Sequence, residues 1–571
     1  MVPRLQMNPQ NQEQADIIGE EVGLHPALVQ VMINRGFRSS EMIHDFLNPS
    51  LGAMADPFTM PDLEAASERL ARAVIKGEKI GLFGDYDADG VTSTSVFVNF
   101  FKSLDRDVAW WVPNRLIEGY GLSKEGLDYL AQEGVKVLVT ADCGSSDLEF
   151  LTLARGMGFE IIVTDHHQLA PRQPEGLLFV NPQRSDCPRV FKTLAGVGVV
   201  FFLLAGLRVK LREMGYFSEK PEPNLKECLD LVALGTLADV VPVVGQNRII
   251  LKVGLKLLAD PERVGLEALA GVAKCNRPLS SRDVAFDLAP RINAPGRLGQ
   301  AGLGVDLLTD SDPDRAGSVA REMDRLNRER KKIEAEVLAQ ARAQVESGGD
   351  PQSRMALVAA HRDWHLGVLG IVAARLSQHF YRPCFVLKIE GETATGSGRS
   401  IAPYPLHEGL EALSGMLLRY GGHSQAAGLT LKAENINRFT AALEGQVGRV
   451  LGGPDLVPSL TLDAGLDLDE LDDRFVAQVE RLSPFGTGNR EPLFGAEKVG
   501  LLSTKRVGKN GAHLKLSLRQ GRRSWPAIGF NQGYLASSLT RSVRIAYRPV
   551  RDSFRGRSQI SLHLKAVMPD R

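Results

Sequence analysis

A chain of 571 residues is too long for a single hydrophobic core and predicts roughly three or four domains of about 150 residues each. Its 43% hydrophobic and 24% charged residues exclude wholesale disorder, and no uncharged apolar run is long enough to span a bilayer. A formal net charge of zero speaks against a polyanion-binding protein only on average: the last 71 residues hold 15 Lys or Arg against two acids, leaving 53 against 66 in the rest.

Residues 1–78 carry no usable motif and are expected to pack on the domain that follows. From 79 to 182 short β-branched runs alternate with helical stretches, the pattern of βαβ units and a mainly parallel sheet. Strands are predicted at 79–84, 108–113, 135–141, 160–164 and 177–181, with helices at 91–104, 124–133 and 148–157. Helices and loops complete this first α/β domain at about residue 310. Ala316, Val319, Met323, Leu326, Ile333, Val337, Ala341 and Val345 recur at helical spacing in a charged background, predicting a long connecting helix within 311–350 that stops at Ser347-Gly348-Gly349. A second α/β domain spans 351–452, with Gly452-Gly453-Pro454 as linker. The remainder, 453–571, alternates short strands (501–507, 513–519, 525–530, 543–547, 560–564) with turns at Lys509-Asn510-Gly511 and Phe554-Arg555-Gly556-Arg557, predicting a small β-barrel of the oligonucleotide-binding type.

Cys143, Cys187, Cys228, Cys275 and Cys384 are scattered, odd in number and form no CxxC pair, which fits a reducing, cytoplasmic setting. The polar N-terminus shows no secretory signal.

The chemistry concentrates in acidic clusters after predicted strands, where open α/β sheets place ligands. In an extended loop, residues two apart point the same way, so Asp85, Asp87 and Asp89 would present three carboxylates to one volume and repel one another unless a cation sits there. A surface turn or a helix N-cap is the plain alternative. Asp142 ends the third strand ahead of Cys143-Gly144-Ser145-Ser146, and a carboxylate between two ions can bridge them. Asp165-His166-His167 follows the fourth strand and adds imidazole: His166 as a ligand, His167 free to donate to a phosphate oxygen. Asp239, in Leu237-Ala238-Asp239-Val240-Val241-Pro242, is a carboxylate in an apolar stretch, costly unless paired or metal-bound. An oxygen-rich set with imidazole and no thiolate suits Mn²⁺ or Mg²⁺, two ions in all, for attack by water at phosphorus.

Asp85-Tyr86-Asp87-Ala88-Asp89-Gly90, Asp142-Cys143-Gly144, Asp165-His166-His167 and Ala238-Asp239-Val240-Val241-Pro242, in this order, resemble the four signature motifs of the DHH phosphoesterase superfamily, and Gly421-Gly422-His423-Ser424-Gln425-Ala426-Ala427-Gly428 resembles the Gly-Gly-His motif of its DHHA1 domain. Asn293-Ala294-Pro295-Gly296-Arg297, Gly396-Ser397-Gly398-Arg399-Ser400, the long helix and the basic barrel are similar to the RecJ-type family of single-strand-specific 5′-to-3′ DNA exonucleases. The resemblance implies a DHH domain, a DHHA1 domain and an OB-like barrel. It implies one metal on Asp87 and Asp142 and a second on Asp89, Asp142, His166 and Asp239, with Asp85 assisting and His167 on the scissile phosphate. It places Arg115, Arg297, Arg375, Ser397, Arg399 and His423 against nucleic acid. Implied partners are single-stranded DNA, a single-strand-binding protein and a helicase, acting with a monomeric enzyme of DNA repair and recombination. One departure stands out: many superfamily members carry a histidine where this chain has Phe83, so the first metal site would be weaker or completed by water.

For each arginine a solvated surface charge remains the alternative, and Trp525, Phe530, Tyr534 and Tyr547 either stack on bases or fill the barrel. Two rival functions stay open: a small-substrate DHH phosphodiesterase, of oligoribonuclease or cyclic-dinucleotide type, and a non-catalytic nucleic-acid-binding scaffold.

Overall fold

The computed structural model describes residues 3–115, 117–453, 456–554 and 557–570. The expected linker at 452–454 and turn at 554–557 lie partly outside them. The chain divides into two compact units, Ser50–Leu456 and a composite of Met1–Pro49 with Val457–Arg571.

The first unit begins with a five-stranded, wholly parallel sheet in the order Val108–Trp111, Ile80–Gly84, Val137–Ala141, Glu160–Thr164, Leu178–Val180. Its central strands are apolar throughout because helices cover both faces. Leu82, Val137, Val139 and Ile162 enter one core, while Phe83, Leu138, Ile161 and Val163 enter another. Phe83 is therefore a core residue of the strand ahead of the acidic loop. The chain leaves Ile80–Gly84 toward one neighbour and later returns to the other, which makes the carboxyl ends of Ile80–Gly84 and Val137–Ala141 a topological switch point, the crevice where such sheets bind ligands.

The long helix runs Pro313–Ser347, capped by Asp312, whose side chain accepts from the Asp314 and Arg315 amides. Ala316, Ala320 and Met323 pack on the first module, and Val337, Ala341 and Val345 on the second. The second module holds a five-stranded mixed sheet ordered Leu417–Gly422, Ala426–Lys432, Thr393–Arg399, Cys384–Glu390, Leu357–His361. Its helix Leu366–Phe380 lies against the long helix.

In the composite unit five strands close a barrel: Phe494–Val507, His513–Gln520, Arg523–Gly529, Arg557–Pro569 and Ser542–Phe554, with the first pairing back onto the last. The first strand begins earlier than its alternation suggests, because a register shift between Ala496 and Val499 and a positive φ at Lys498 (54°) break the period.

The expected packing of residues 1–78 on the catalytic domain fails for the stretch up to Pro49. Leu28, Val29, Met32 and Ile43 share a core with Phe475, Phe494, Trp525 and Tyr547, and Arg4–Met7 pairs in parallel with Ser459–Leu462. Three short amphipathic helices cannot bury their apolar faces alone, and the barrel supplies the missing surface. Helix Leu63–Lys76 does join the catalytic core. Among the described residues no helix is long and apolar enough to cross a membrane.

Candidate metal and nucleic-acid site

The acidic loop is not an extended strand. Asp87 caps a helix that starts at Ala88, its Oδ1 accepting from the Asp89 (2.9 Å) and Gly90 (3.1 Å) amides, so Asp89 sits in the first helical turn. The N-cap alternative therefore holds for Asp87, whose carboxylate also groups with Asp85 and Asp142. Asp89 is held by backbone instead, accepting from Gly196 N–H (2.7 Å) and Val197 N–H (2.9 Å) at the start of the helix Gly196–Glu213.

Asp142 follows Val137–Ala141, its amide donating to Thr164 O at 3.0 Å, and takes the left-handed conformation at φ 64° that a non-glycine residue holds only at a cost. Gly196 packs so closely here that a Cβ would come within 2.5 Å of Asp142 Oδ1. Asp165 is buried and accepts from the amides of His166 (2.7 Å), His167 (3.1 Å) and Ser145 (3.0 Å) and from His167 Nδ1 (2.8 Å). It holds the backbone of both histidines and the ring of His167.

His166 Nε2 thereby lies 3.2 Å from Asp142, 3.6 Å from Asp239 and 3.9 Å from Asp89. Two groups of oxygen and nitrogen ligands emerge, Asp85 with Asp87 and Asp142, and Asp89 with His166 and Asp239, and Asp142 also groups with the two histidines. Asp239 is not sealed in apolar surroundings: its side chain keeps 22% exposure, because the chain turns out to solvent at Val240.

The electrostatics of the cluster suits a divalent cation. Burial, reinforced by Asp87, pushes the Asp89 carboxyl up to about 7, and burial with Asp89 and Asp87 pushes Asp239 up to about 9. Burial raises Asp85 and Asp142 well above the carboxylate range. Burial and the neighbouring His167 lower His166 to about 4, so it is a neutral imidazole, the form that ligates metal. Burial alone would lower His167, but its bond to Asp165 raises it to about 9. Burial alone would raise Asp165, but His167 draws it below the usual range. Three buried atoms, Asp85 Oδ1, Asp142 Oδ1 and His166 Nε2, have no hydrogen-bond partner. Such atoms cost about 1–3 kcal/mol each when left unsatisfied, and divalent cations held by these groups would satisfy them.

A cationic rim adjoins the cluster. Arg115 lies over the Tyr86 ring at 5.0 Å, and Arg297 donates to Gly367 O at 3.1 Å. Burial, with Arg115 and Arg330 nearby, lowers Arg297 to about 10, and burial with Arg115 lowers Arg399. Desolvated guanidiniums that repel one another await an anion. Ser397 and Arg399 share one face of their strand, and a Cβ on Gly370 would come within 3.0 Å of the Arg399 guanidinium and 3.6 Å of Ser397. Arg375 stands apart in an ion pair of 2.5 Å with buried Glu334, which also holds Arg330 at 2.6 Å. His423 is exposed at a hairpin tip, its amide donating to Ala426 O.

Sequence reasoning missed Tyr120, whose hydroxyl lies 3.0 Å from His167 Nδ1 and 3.4 Å from Asp142 O. Its signal was available: an aromatic between Gly119 and Gly121, both at positive φ. It also missed the Gly196 and Val197 amides, which no side-chain pattern reveals, and Asn293, whose Oδ1 accepts from Ala88 N–H at 2.8 Å.

Comparison with known proteins follows this architecture. The family model for the DHH family N-terminal domain matches residues 79–236, that for the DHHA1 domain 353–449 and that for the RecJ OB domain 462–566. The chain is 35% identical over 573 aligned residues to the single-stranded-DNA-specific exonuclease RecJ of Escherichia coli, covering 98% of each protein. It is 34% identical over 546 residues to the Bacillus subtilis protein of the same name, covering 95% of this chain and 68% of that one. The crystal structure of RecJ in complex with Mn²⁺ from Thermus thermophilus superimposes with a TM-score of 0.82 at 30% identity, covering 100% of this chain and 79% of that one, and the Mg²⁺ complex from the same organism with 0.77 at 28%.

Proposed function

The chain belongs to the RecJ family, and from that premise we propose that it is a metal-dependent exonuclease that hydrolyses single-stranded DNA from the 5′ end, releasing 5′-mononucleotides in DNA repair and recombination in the cytoplasm. The observation that carries the reading is the set of three orphaned buried atoms, Asp85 Oδ1, Asp142 Oδ1 and His166 Nε2, at a sheet switch point.

Asp85, Asp87 and Asp142 would hold one ion, and Asp89, Asp142, His166 and Asp239 a second, with Asp142 shared. Bound Mn²⁺ or Mg²⁺ supplies Lewis acidity for attack of water at phosphorus and screens the charge on the phosphoryl oxygens. The protein's own residues do the rest. Asp165 holds the His166 backbone and the His167 imidazole, with His166 Nε2 toward the carboxylates, and His167 would sit beside the reacting phosphate. Tyr120, whose hydroxyl lies 3.0 Å from His167 Nδ1, steadies that ring. Gly196 and Val197 lock Asp89, so the ligand geometry is set before substrate arrives. Arg115, Arg297 and Arg399, with Ser397, grip backbone phosphate, and His423 would reach the strand from its hairpin.

Complete ligand sets argue against a non-catalytic scaffold, and the composite barrel unit argues against a small-substrate phosphodiesterase. Digestion of 5′- and 3′-labelled single- and double-stranded DNA, with each metal and with chelator, tests the reading. Stepwise loss of 5′ label from single strands only, and only with metal, is expected. Hydrolysis confined to dinucleotides would overturn it.

A further inference from the structure

The composite unit carries a cleft whose charge opposes that of the chain around it. From Leu501 onward Lys and Arg outnumber acids by 15 to two. Where the N-terminal helices meet the helix Asp473–Arg481, however, a cleft of about 620 Å³ is lined by the carboxylates of Asp16, Glu20, Glu470 and Asp472, and Arg474 is its one Lys or Arg among the described residues. Leu24 and Phe475 form a buried apolar floor, and the His25 ring meets Phe475 edge-on at 5.0 Å. The walls are tied together: the Gln478 side chain accepts from the His25 amide at 2.8 Å and donates to Gly23 O at 3.0 Å. The cleft is therefore shaped before anything enters it.

Two further features call for positive charge in an extended ligand. The helix Gln12–Val22 ends at this cleft with Glu20 and Glu21 in its last turn and no basic residue there, although the C-terminal end of a helix is negative and favours a cation. Glu20 is exposed and, among the described residues, enters no ion pair. A second cleft of about 530 Å³ shares Glu470 with the first and adds Asp467 and Glu497 around Leu5, Leu462 and Ile545, with Arg544 as its one base. Two clefts that meet at one residue reach further than a single side chain, so an extended segment matches them better than a point charge.

We propose that the paired clefts dock an extended basic segment of a partner protein, its Lys or Arg side chains at Glu20 and at Asp467 and Glu497 and its apolar side chains on the Phe475 and Leu462 floors. Nucleic acid is repelled by this lining, and a small polycation would match its charge but leave both apolar floors in water. The inference goes beyond the nuclease reading and does not depend on it, since its readout is peptide binding.

A short fluorescein-labelled peptide of alternating arginine and leucine, titrated by anisotropy into the full chain without DNA, tests this. Saturating Mg²⁺ keeps the carboxylates of the acidic cluster from competing. The same peptide with glutamate, or with uncharged citrulline, in place of arginine is the control. Wild-type protein should bind the arginine peptide about tenfold or more tighter than either control. Glu20→Lys combined with Glu497→Lys replaces an attraction by a repulsion in each cleft, and should weaken the arginine peptide about tenfold while affinity for single-stranded oligothymidylate does not fall. Should that pair misfold, Glu20→Gln with Glu497→Gln carries the test, with a loss of about threefold. Equal binding of the arginine and citrulline peptides, or unchanged affinity in the variants, overturns the proposal. So does displacement of the peptide by spermine as effectively as by unlabelled peptide, which would assign the clefts to a free polycation. Preference for the glutamate peptide would assign them to Arg474 and Arg544 and overturn it as well. Wild-type protein that binds the arginine peptide but hydrolyses no single strand counts against the nuclease reading alone.

Discussion

Stripped of divalent cations, this protein should lose stability as pH rises from about 6 to about 9, a range in which most proteins change little. Asp239 shows why. Burial and the Asp89 and Asp87 charges raise it from 3.8 to about 9, so the folded state holds a proton that the unfolded chain has already released. A group whose folded pKa lies above its unfolded value stabilises at low pH, and that contribution drains away as pH climbs to the folded value. Three pH steps below that value correspond to about 4 kcal/mol at about 1.36 kcal/mol per step. Asp89, raised to about 7, adds in the same direction early in the range, and His167, raised to about 9, adds late in it. His166, lowered to about 4, opposes the trend at the low end of the range, where the unfolded imidazole still binds a proton that the folded one has released. Trp110 and Trp111, at the end of the strand next to Ile80–Gly84, report unfolding by fluorescence in denaturant. In chelator the midpoint should fall between pH 6 and 9, and with saturating Mn²⁺ the fall should largely vanish because the ligands are held deprotonated. A chelated protein equally or more resistant at pH 9 would refute the electrostatic account.

Other consequences are more local. Gly196→Ala forces a Cβ within 2.5 Å of Asp142 Oδ1, so Mn²⁺ affinity by calorimetry should drop about tenfold or more while the fold persists. Arg297→Lys keeps the charge but loses the fork that donates to Gly367 and faces the anion, so KM for a single strand should rise about tenfold with kcat changed far less. Glu334→Gln loosens both Arg330 and Arg375, and should raise KM and flatten its salt dependence without altering metal binding.

The sequence announced the sheet and most of the acidic cluster because both depend on short patterns: β-branched runs mark the strands, and acids just after them mark the candidate site. Asp142 and His166 needed only the rule that strand ends share an edge, whereas Asp239 caps the helix Leu229–Ala238 and was marked by its apolar surroundings. The geometry inside the acidic loop was not legible, since Asp87 capping a helix at Ala88 depends on where that helix begins, and Asp89 is oriented by amides of a helix more than a hundred residues away. The pairing of Arg375 with Glu334 joins two modules and leaves no local trace. The N-terminal helices were misplaced for the same reason: their apolar faces are readable, but their partner is the other end of the chain. Phe83, the departure from the family pattern, has its side chain in a buried core.

The most direct test of the central claim is Asp142→Asn, assayed by single-turnover digestion of a 5′-labelled single strand in Mn²⁺ beside a binding isotherm for the same strand. Asp142 groups with Asp85 and Asp87 and lies 3.2 Å from His166 Nε2, and with the proposed sharing of its carboxylate between two ions hydrolysis should fall by about 10³-fold or more, about 4 kcal/mol of barrier, while strand affinity stays within about twofold. Near-normal turnover in this variant would contradict the site.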